Sequence, residues 1–157
     1  MTLARTPSQT VGPYYEIGLC RRRDDELAPG GIQLEGQLVD GQGEPIVDGM
    51  IEVWDASAGR WGRSGTDSGG RFHFSIEKPG AVTGAPHLDV FVFARGLLRH
   101  QLTRIYFPDE LEANADDPVL AALDDADRAT LVAHEVDGRL RFDIRLQGDG
   151  ATVFFAH

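Results

Sequence analysis

From Ile32 to Leu38 the chain alternates without a break: Ile32, Leu34, Gly36 and Leu38 are separated by Gln33, Glu35 and Gln37. A period of two sends one set of side chains to each face of an extended backbone, so the segment reads as a half-buried strand. The pattern returns at Arg71–Ile76, where Phe72, Phe74 and Ile76 share a face. It returns again over residues 139–146, where Leu140, Phe142, Ile144 and Leu146 oppose Arg139, Arg141, Asp143 and Arg145. Asp137-Gly138 supplies a tight turn between that run and residues 133–136, which completes a hairpin. Residues 50–54, 102–107 and 152–155 read as further strands, and residues 87–94 as a strand apolar on both faces.

Turn chemistry separates these runs: Asp40-Gly41-Gln42-Gly43, Asp67-Ser68-Gly69-Gly70 and Pro79-Gly80. The 19 glycines and 8 prolines, spread along the chain, favour many short strands over a few long helices. One helix is expected after Asp117, which can cap it. Pro118 suits the first helical position, and Leu120, Leu123 and Leu131 give a partial apolar face. The fold class is therefore all-β: a sandwich of about seven or eight short antiparallel strands with one short helix.

At 157 residues the chain fits one domain spanning 1–157. Residues 1–31 differ from the rest. They hold no sustained period and read as an arm preceding a sandwich of residues 32–157. Thr6-Pro-Ser-Gln-Thr-Val-Gly-Pro-Tyr-Tyr15 carries two prolines, each restricting its own backbone and that of the residue before it, so it reads as an ordered extended segment. Arg21-Arg22-Arg23-Asp24-Asp25-Glu26 reads as a solvated loop.

The formal net charge of -10 argues against a nucleic-acid surface and a polybasic membrane anchor. Cys20 is the single cysteine, which leaves no intramolecular disulfide and no thiolate zinc site. The first residues show no apolar secretory core, and the apolar run from Val90 to Ala94 is too short to span a bilayer, so a cytoplasmic location is expected. No phosphate-binding glycine motif or nucleophile elbow is present. The histidines His73, His87, His100, His134 and His157 are scattered, with no pair at chelating spacing. His73 lies on the polar phase of its strand and is expected to face solvent. Taken alone, these residues describe a sandwich that works by contact.

Several segments together carry a resemblance. They are the Thr6–Tyr14 motif, Glu52-Val-Trp-Asp55, Lys78-Pro-Gly80, Phe93-Ala-Arg-Gly96, Thr103-Arg-Ile-Tyr-Phe107, Arg141-Phe-Asp-Ile-Arg-Leu-Gln-Gly148 and Thr152-Val-Phe-Phe155. In this order they resemble the intradiol ring-cleaving dioxygenases, most of all the α chains of heteromeric members. The resemblance implies an αβ hetero-oligomer in aromatic catabolism, within the β-ketoadipate pathway. Its substrate would be 3,4-dihydroxybenzoate, opened with dioxygen to 3-carboxy-cis,cis-muconate. It implies Fe(III) held by two tyrosinates and two histidines of the β subunit, a donor set suited to ferric iron. It also implies a substrate pocket between the chains, to which this one contributes Thr10, Gly12, Pro13, Tyr14 and Arg95. Gly12 would let backbone approach an aromatic ring, Pro13 would stiffen it, Thr10 offers a hydroxyl, and Arg95 a permanent cation for an acid. An intersubunit salt bridge is the other reading of Arg95.

The family's metal ligands fall on other residue types here. Trp61 and Val82 stand where the resemblance places the tyrosinates, and His87-Leu88-Asp89 where it places a His-x-His pair. An indole has no lone pair for a metal. No metal site is therefore expected in this chain, and a self-sufficient dioxygenase fails on the missing tyrosines. Shorter segments between Trp54 and Phe72 and after Lys78 are also expected. Residues 36–43 and 66–74 with Pro79-Gly80 would equally suit a stand-alone transthyretin-like or carboxypeptidase-regulatory-like binding module. That alternative does not explain the arm or the Thr-Val-Phe-Phe tail.

Overall fold

A computed structural model describes residues 4–156; His157 and the start of the expected arm lie outside them. In chain order its elements are α1 (Tyr15–Leu19), β1 (Ile32–Val39), β2 (Met50–Asp55), β3 (Arg60–Gly65), β4 (Arg71–Ile76), β5 (His87–Phe93) and β6 (Gln101–Tyr106). Then follow α2 (Leu111–Asp116), α3 (Pro118–Ala121), α4 (Asp125–Ala129), β7 (His134–Val136), β8 (Arg139–Arg141) and β9 (Ile144–Arg145). One sheet has the order β4-β1-β8-β7, with β9 also on β1; the other has the order β3-β2-β5-β6. Leu34, Leu38, Phe72 and Phe74 of the first sheet and Ile51, Val53, Leu88 and Val90 of the second are fully or almost fully buried in one core between them. The fold is the all-β sandwich the alternation implies.

The second sheet is antiparallel throughout, but the first is mixed: β8 and β9 both run parallel to β1. The expected strand over residues 139–146 is broken in two. At the break Asp143 Oδ1 accepts from the Gln37 amide at 2.9 Å, taking a donor that a continuous ladder would use. The tail at residues 152–155 is likewise no ladder. Phe155 donates its amide to the Leu102 carbonyl at 2.8 Å, while the Val153 carbonyl accepts from the Thr103 hydroxyl at 2.7 Å. A buried side chain thus substitutes for strand pairing.

β5 alternates rather than being buried on both faces: Leu88, Val90 and Val92 are in the core, and His87, Asp89, Phe91 and Phe93 are half-buried on the outer face. Four short helices occur among the described residues instead of one. The expected helix is α3, with Asp117 accepting from the amides of Val119 and Leu120. α4 has its own cap, Asp124.

The charge run is only half a solvated loop. Arg21, Arg22 and Arg23 are exposed, but the Asp24 carbonyl accepts from the Arg63 amide at 2.8 Å and the Asp25 carbonyl from the Ser75 amide at 2.9 Å. β3 and β4 are the edge strands on that side, so this part of the arm covers both unpaired edges. Exposed His73 faces the Asp25 carboxylate at 2.7 Å.

Candidate functional site

The arm is fastened to the end of β5 by two hydroxyls. The Thr10 hydroxyl accepts from the Gly96 amide at 2.7 Å, and the Tyr15 hydroxyl donates to the Phe93 carbonyl at 2.6 Å. Tyr15 sits in the first turn of α1, which lies along β3: the Leu19 carbonyl accepts from the Arg63 guanidinium at 2.9 Å. Burial, and next the Asp48 carboxylate, push the Tyr15 phenol well above its ordinary range, so it remains a neutral donor. Burial followed by Glu16 raises the nearby Cys20 thiol to about 11, leaving it unreactive at neutral pH.

Between the two fastenings, Gly12, Pro13 and Tyr14 are exposed, Tyr14 at 79 %. Among the described residues Gly12 has no steric reason to be glycine: a methyl built there meets nothing within 4 Å, and its φ is not left-handed. Arg95 projects from the end of β5 with a side chain 60 % exposed, its Nε 3.1 Å from Asp48 Oδ2. The structure thus brings Thr10 to the residue after Arg95 and joins Arg95 to Asp48. Among the described residues no hydrogen bond or ion pair links Gly12, Pro13 or Tyr14 to Arg95. A groove of about 510 Å³ lies beside them, lined by Gln9, Val11, Phe93, Leu97, Leu98 and His100 rather than by the expected set. Tyr15 and Asp48 were not singled out by sequence reasoning. Their partners lie far along the chain, so neither residue carries a local signal.

The positions expected to correspond to metal ligands do not fit ferric iron. Trp61 is 43 % exposed on β3, with the Arg63 guanidinium 4.6 Å above its ring. Val82 is exposed in a loop. His87 Nδ1 is 2.8 Å from the Ala85 carbonyl oxygen, and its Nε2 is 3.7 Å from Asp89 Oδ1. Asp89 is already paired with Arg104 Nε at 3.0 Å. Register places Trp61, Trp54, Asp89 and Arg104 in one row across the sheet. That row offers two indoles and one carboxylate, with a permanent cation on the carboxylate, and the nearby His87 adds a single imidazole. Among the described residues no three His, Cys, Asp or Glu side chains gather as a metal site requires.

The likeness to known proteins agrees with this architecture. No family model matches the chain. A dioxygenase domain from Streptomyces sp. SirexAA-E superposes with a TM-score of 0.61 at 23 % identity, covering 92 % of this chain and 99 % of that one. Catechol 1,2-dioxygenase from Pseudomonas arvilla C-1 superposes with a TM-score of 0.55 at 22 % identity, covering 78 % of this chain and 55 % of that one. The fold is that of the intradiol ring-cleaving dioxygenases. In sequence, the protocatechuate 3,4-dioxygenase α chain of Pseudomonas putida is 41 % identical over 194 aligned positions, covering 98 % of this chain and 96 % of the relative. That of Burkholderia cepacia is 40 % identical, covering 98 % of both. The β chain of Burkholderia cepacia is 28 % identical over 77 % of this chain. The chain belongs to the family of protocatechuate 3,4-dioxygenase α chains. The alignment with the Pseudomonas putida chain is longer than this 157-residue chain, so that relative carries residues with no counterpart here.

Proposed function

We propose that residues 1–157 act as one unit, the α subunit of a cytoplasmic protocatechuate 3,4-dioxygenase. It would pair with a β subunit that holds the Fe(III). The pair would cleave 3,4-dihydroxybenzoate with dioxygen to 3-carboxy-cis,cis-muconate, both oxygen atoms entering the product. Nucleic acid and membrane have no part in this reading. This chain supplies no metal ligand. Its own residues form part of the pocket wall at the subunit interface: Thr10, Gly12, Pro13, Tyr14 and Arg95.

One observation carries the reading. The arm is held at Thr10 and Tyr15 while Gly12, Pro13 and Tyr14 between them are exposed, including a glycine that no described residue of this chain requires to be one. A segment fixed at both ends and bare in the middle is preorganised for something outside the chain. Identity over nearly the full length, arm included, supports the same conclusion. A stand-alone binding module leaves this clasp without a role.

Co-expression with its β chain tests the proposal. The expected result is a stable αβ complex that consumes oxygen with 3,4-dihydroxybenzoate, and no turnover from this chain alone. A free chain that stays monomeric and unaltered when the β chain is added would overturn it, as would ring cleavage without the β chain.

A further inference from the structure

The ion pair beneath Arg95 has no evident task in folding. An ion pair on a side chain 60 % exposed contributes little stability. Yet its carboxylate partner is carefully held. The Asp48 side chain is 15 % exposed, in the turn that enters β2. The hydroxyl of buried Thr66 accepts from the Gly49 amide at 2.8 Å and donates to the Ile46 carbonyl at 2.7 Å, gripping that turn on both sides of Asp48. The Thr66 amide adds a bond to the Gly49 carbonyl at 3.0 Å. Asp48 is therefore a fixed point, whereas Arg95 is a long side chain at a strand end.

The contact is also one-sided. Asp48 approaches Arg95 at Nε as an ion pair without a hydrogen bond, and no hydrogen bond or further ion pair engages the Arg95 side chain among the described residues. A guanidinium has five N–H donors, so its Nη edge remains open for the paired oxygens of a carboxylate. We infer that Asp48 is a positioning residue. It draws the Nε side of Arg95 toward itself by charge, so that the Nη donors are presented to an anionic group of the aromatic acid in the shared pocket. Fixing one rotamer-rich side chain in advance saves about 0.5–1.5 kcal/mol on binding, which corresponds to about 2- to 12-fold in affinity. Asp48 also neutralises much of the Arg95 charge before the partner covers it, which lowers the desolvation cost of assembly.

This inference rests on the pocket-wall reading of Arg95, and the test separates the two. Asp48→Asn, Arg95→Ala and the double variant are made in the assembled αβ enzyme and assayed with 3,4-dihydroxybenzoate. Asp48→Asn is expected to raise KM about 2- to 12-fold, with kcat within about twofold and an unchanged elution volume. The double variant should be no worse than Arg95→Ala alone, because Asp48 acts only through Arg95. If Arg95→Ala lowers kcat/KM but Asp48→Asn changes nothing, or if the two losses multiply, Asp48 is not positioning Arg95 and the pocket-wall reading stands. If Arg95→Ala itself has full kcat/KM, both fail. A weakened complex with normal KM in the surviving fraction would assign Asp48 to assembly and overturn the inference. Asp48→Ser repeats the test should the asparagine variant fold poorly.

Discussion

The Thr10 hydroxyl and the Gly96 amide, 86 residues apart in the chain, meet at 2.7 Å. Thr10 also lies on an arm that is otherwise exposed from residue 4 to residue 10. This bond and the one from Tyr15 to Phe93 are what the arm has to hold it against the end of β5.

Thr10→Val keeps the shape and removes the acceptor. A single hydrogen bond contributes about 1 kcal/mol, so local opening of the arm should rise about fivefold while global stability stays nearly constant. Hydrogen exchange at the Gly96 amide reads this directly. Adding Tyr15→Phe should release the arm further and expose it to limited proteolysis. Unchanged exchange at Gly96 in Thr10→Val would show that the clasp is not formed in solution.

Asp117 joins the helical segment to the sandwich. It is buried and accepts from the amides of Ala85, Val119 and Leu120 and from the Tyr106 hydroxyl. Burial alone would raise its carboxyl, but the amides of Ala85, Leu120 and Val119, with Tyr106, outweigh it and hold the group below the ordinary range. A depressed native value contributes stability that is present above the unfolded value and lost as pH falls through the native one. Asp117→Ala should therefore cost on the order of 3 kcal/mol at neutral pH, about 6–12 °C in Tm. The gap between variant and wild type should narrow as pH falls below about 4. Thermal melts at a series of pH values check both; a gap that widens in acid would refute the assignment.

Gly36 occupies an inward-phase position of β1 where side chains would be expected, because β1 is overlaid there by the chain between β8 and β9. A methyl at Gly36 would overlap the Phe142 carbonyl and the Phe72 ring. Phe142 is buried and its amide is committed to the Glu35 carbonyl at 2.8 Å, so the overlap cannot be relieved without breaking that bond. Gly36→Ala should destabilise by about 2–3 kcal/mol, read as a lower midpoint in urea with an unchanged slope. A neutral outcome would mean that the junction of β8 and β9 is displaced from β1.

The elements legible in the sequence are those specified by local rules. β1 and β4 showed through their alternation, and the hairpin through Asp137-Gly138, whose φ values are 50° and 74°. α3 showed through the Asp117 cap. β3 escaped because Arg-Trp-Gly-Arg-Ser-Gly carries no apolar alternation; Gly62 is small there because Leu27 and the Asp24 carbonyl pack against it. α1 and α4 escaped because neither buries a residue and so neither has an apolar stripe. The parallel pairing of β8 and β9 with β1 rests on long-range bonds that leave no local signal: the Phe142 amide to the Glu35 carbonyl, the Leu146 amide to the Val39 carbonyl, and the Gln37 amide to the Asp143 carboxylate, 106 residues apart. At the site, Thr10 and Arg95 were named from motifs, but their partners Gly96 and Asp48 follow only from the folded chain.

The row Trp61, Trp54, Asp89, Arg104 leads to the last expectation. Ferric iron in this fold would need hard oxygen and imidazole donors, and two of the expected positions hold an indole and an isopropyl group. Asp89→His would restore the spacing of a His-x-His pair with His87. It would also take from Arg104 the carboxylate it holds at 3.0 Å, leaving a guanidinium beside the new imidazole. A nearby uncompensated cation opposes binding of a trivalent metal. The chain purified alone, and the Asp89→His variant, should both contain no stoichiometric iron and show no visible tyrosinate-to-iron absorption. The variant should also melt lower, since removing one partner of a half-buried ion pair leaves the other unpaired. Elemental analysis with a visible spectrum decides the matter. One iron per chain with that absorption band would place ligands in this chain and overturn the proposed division of labour between the two subunits.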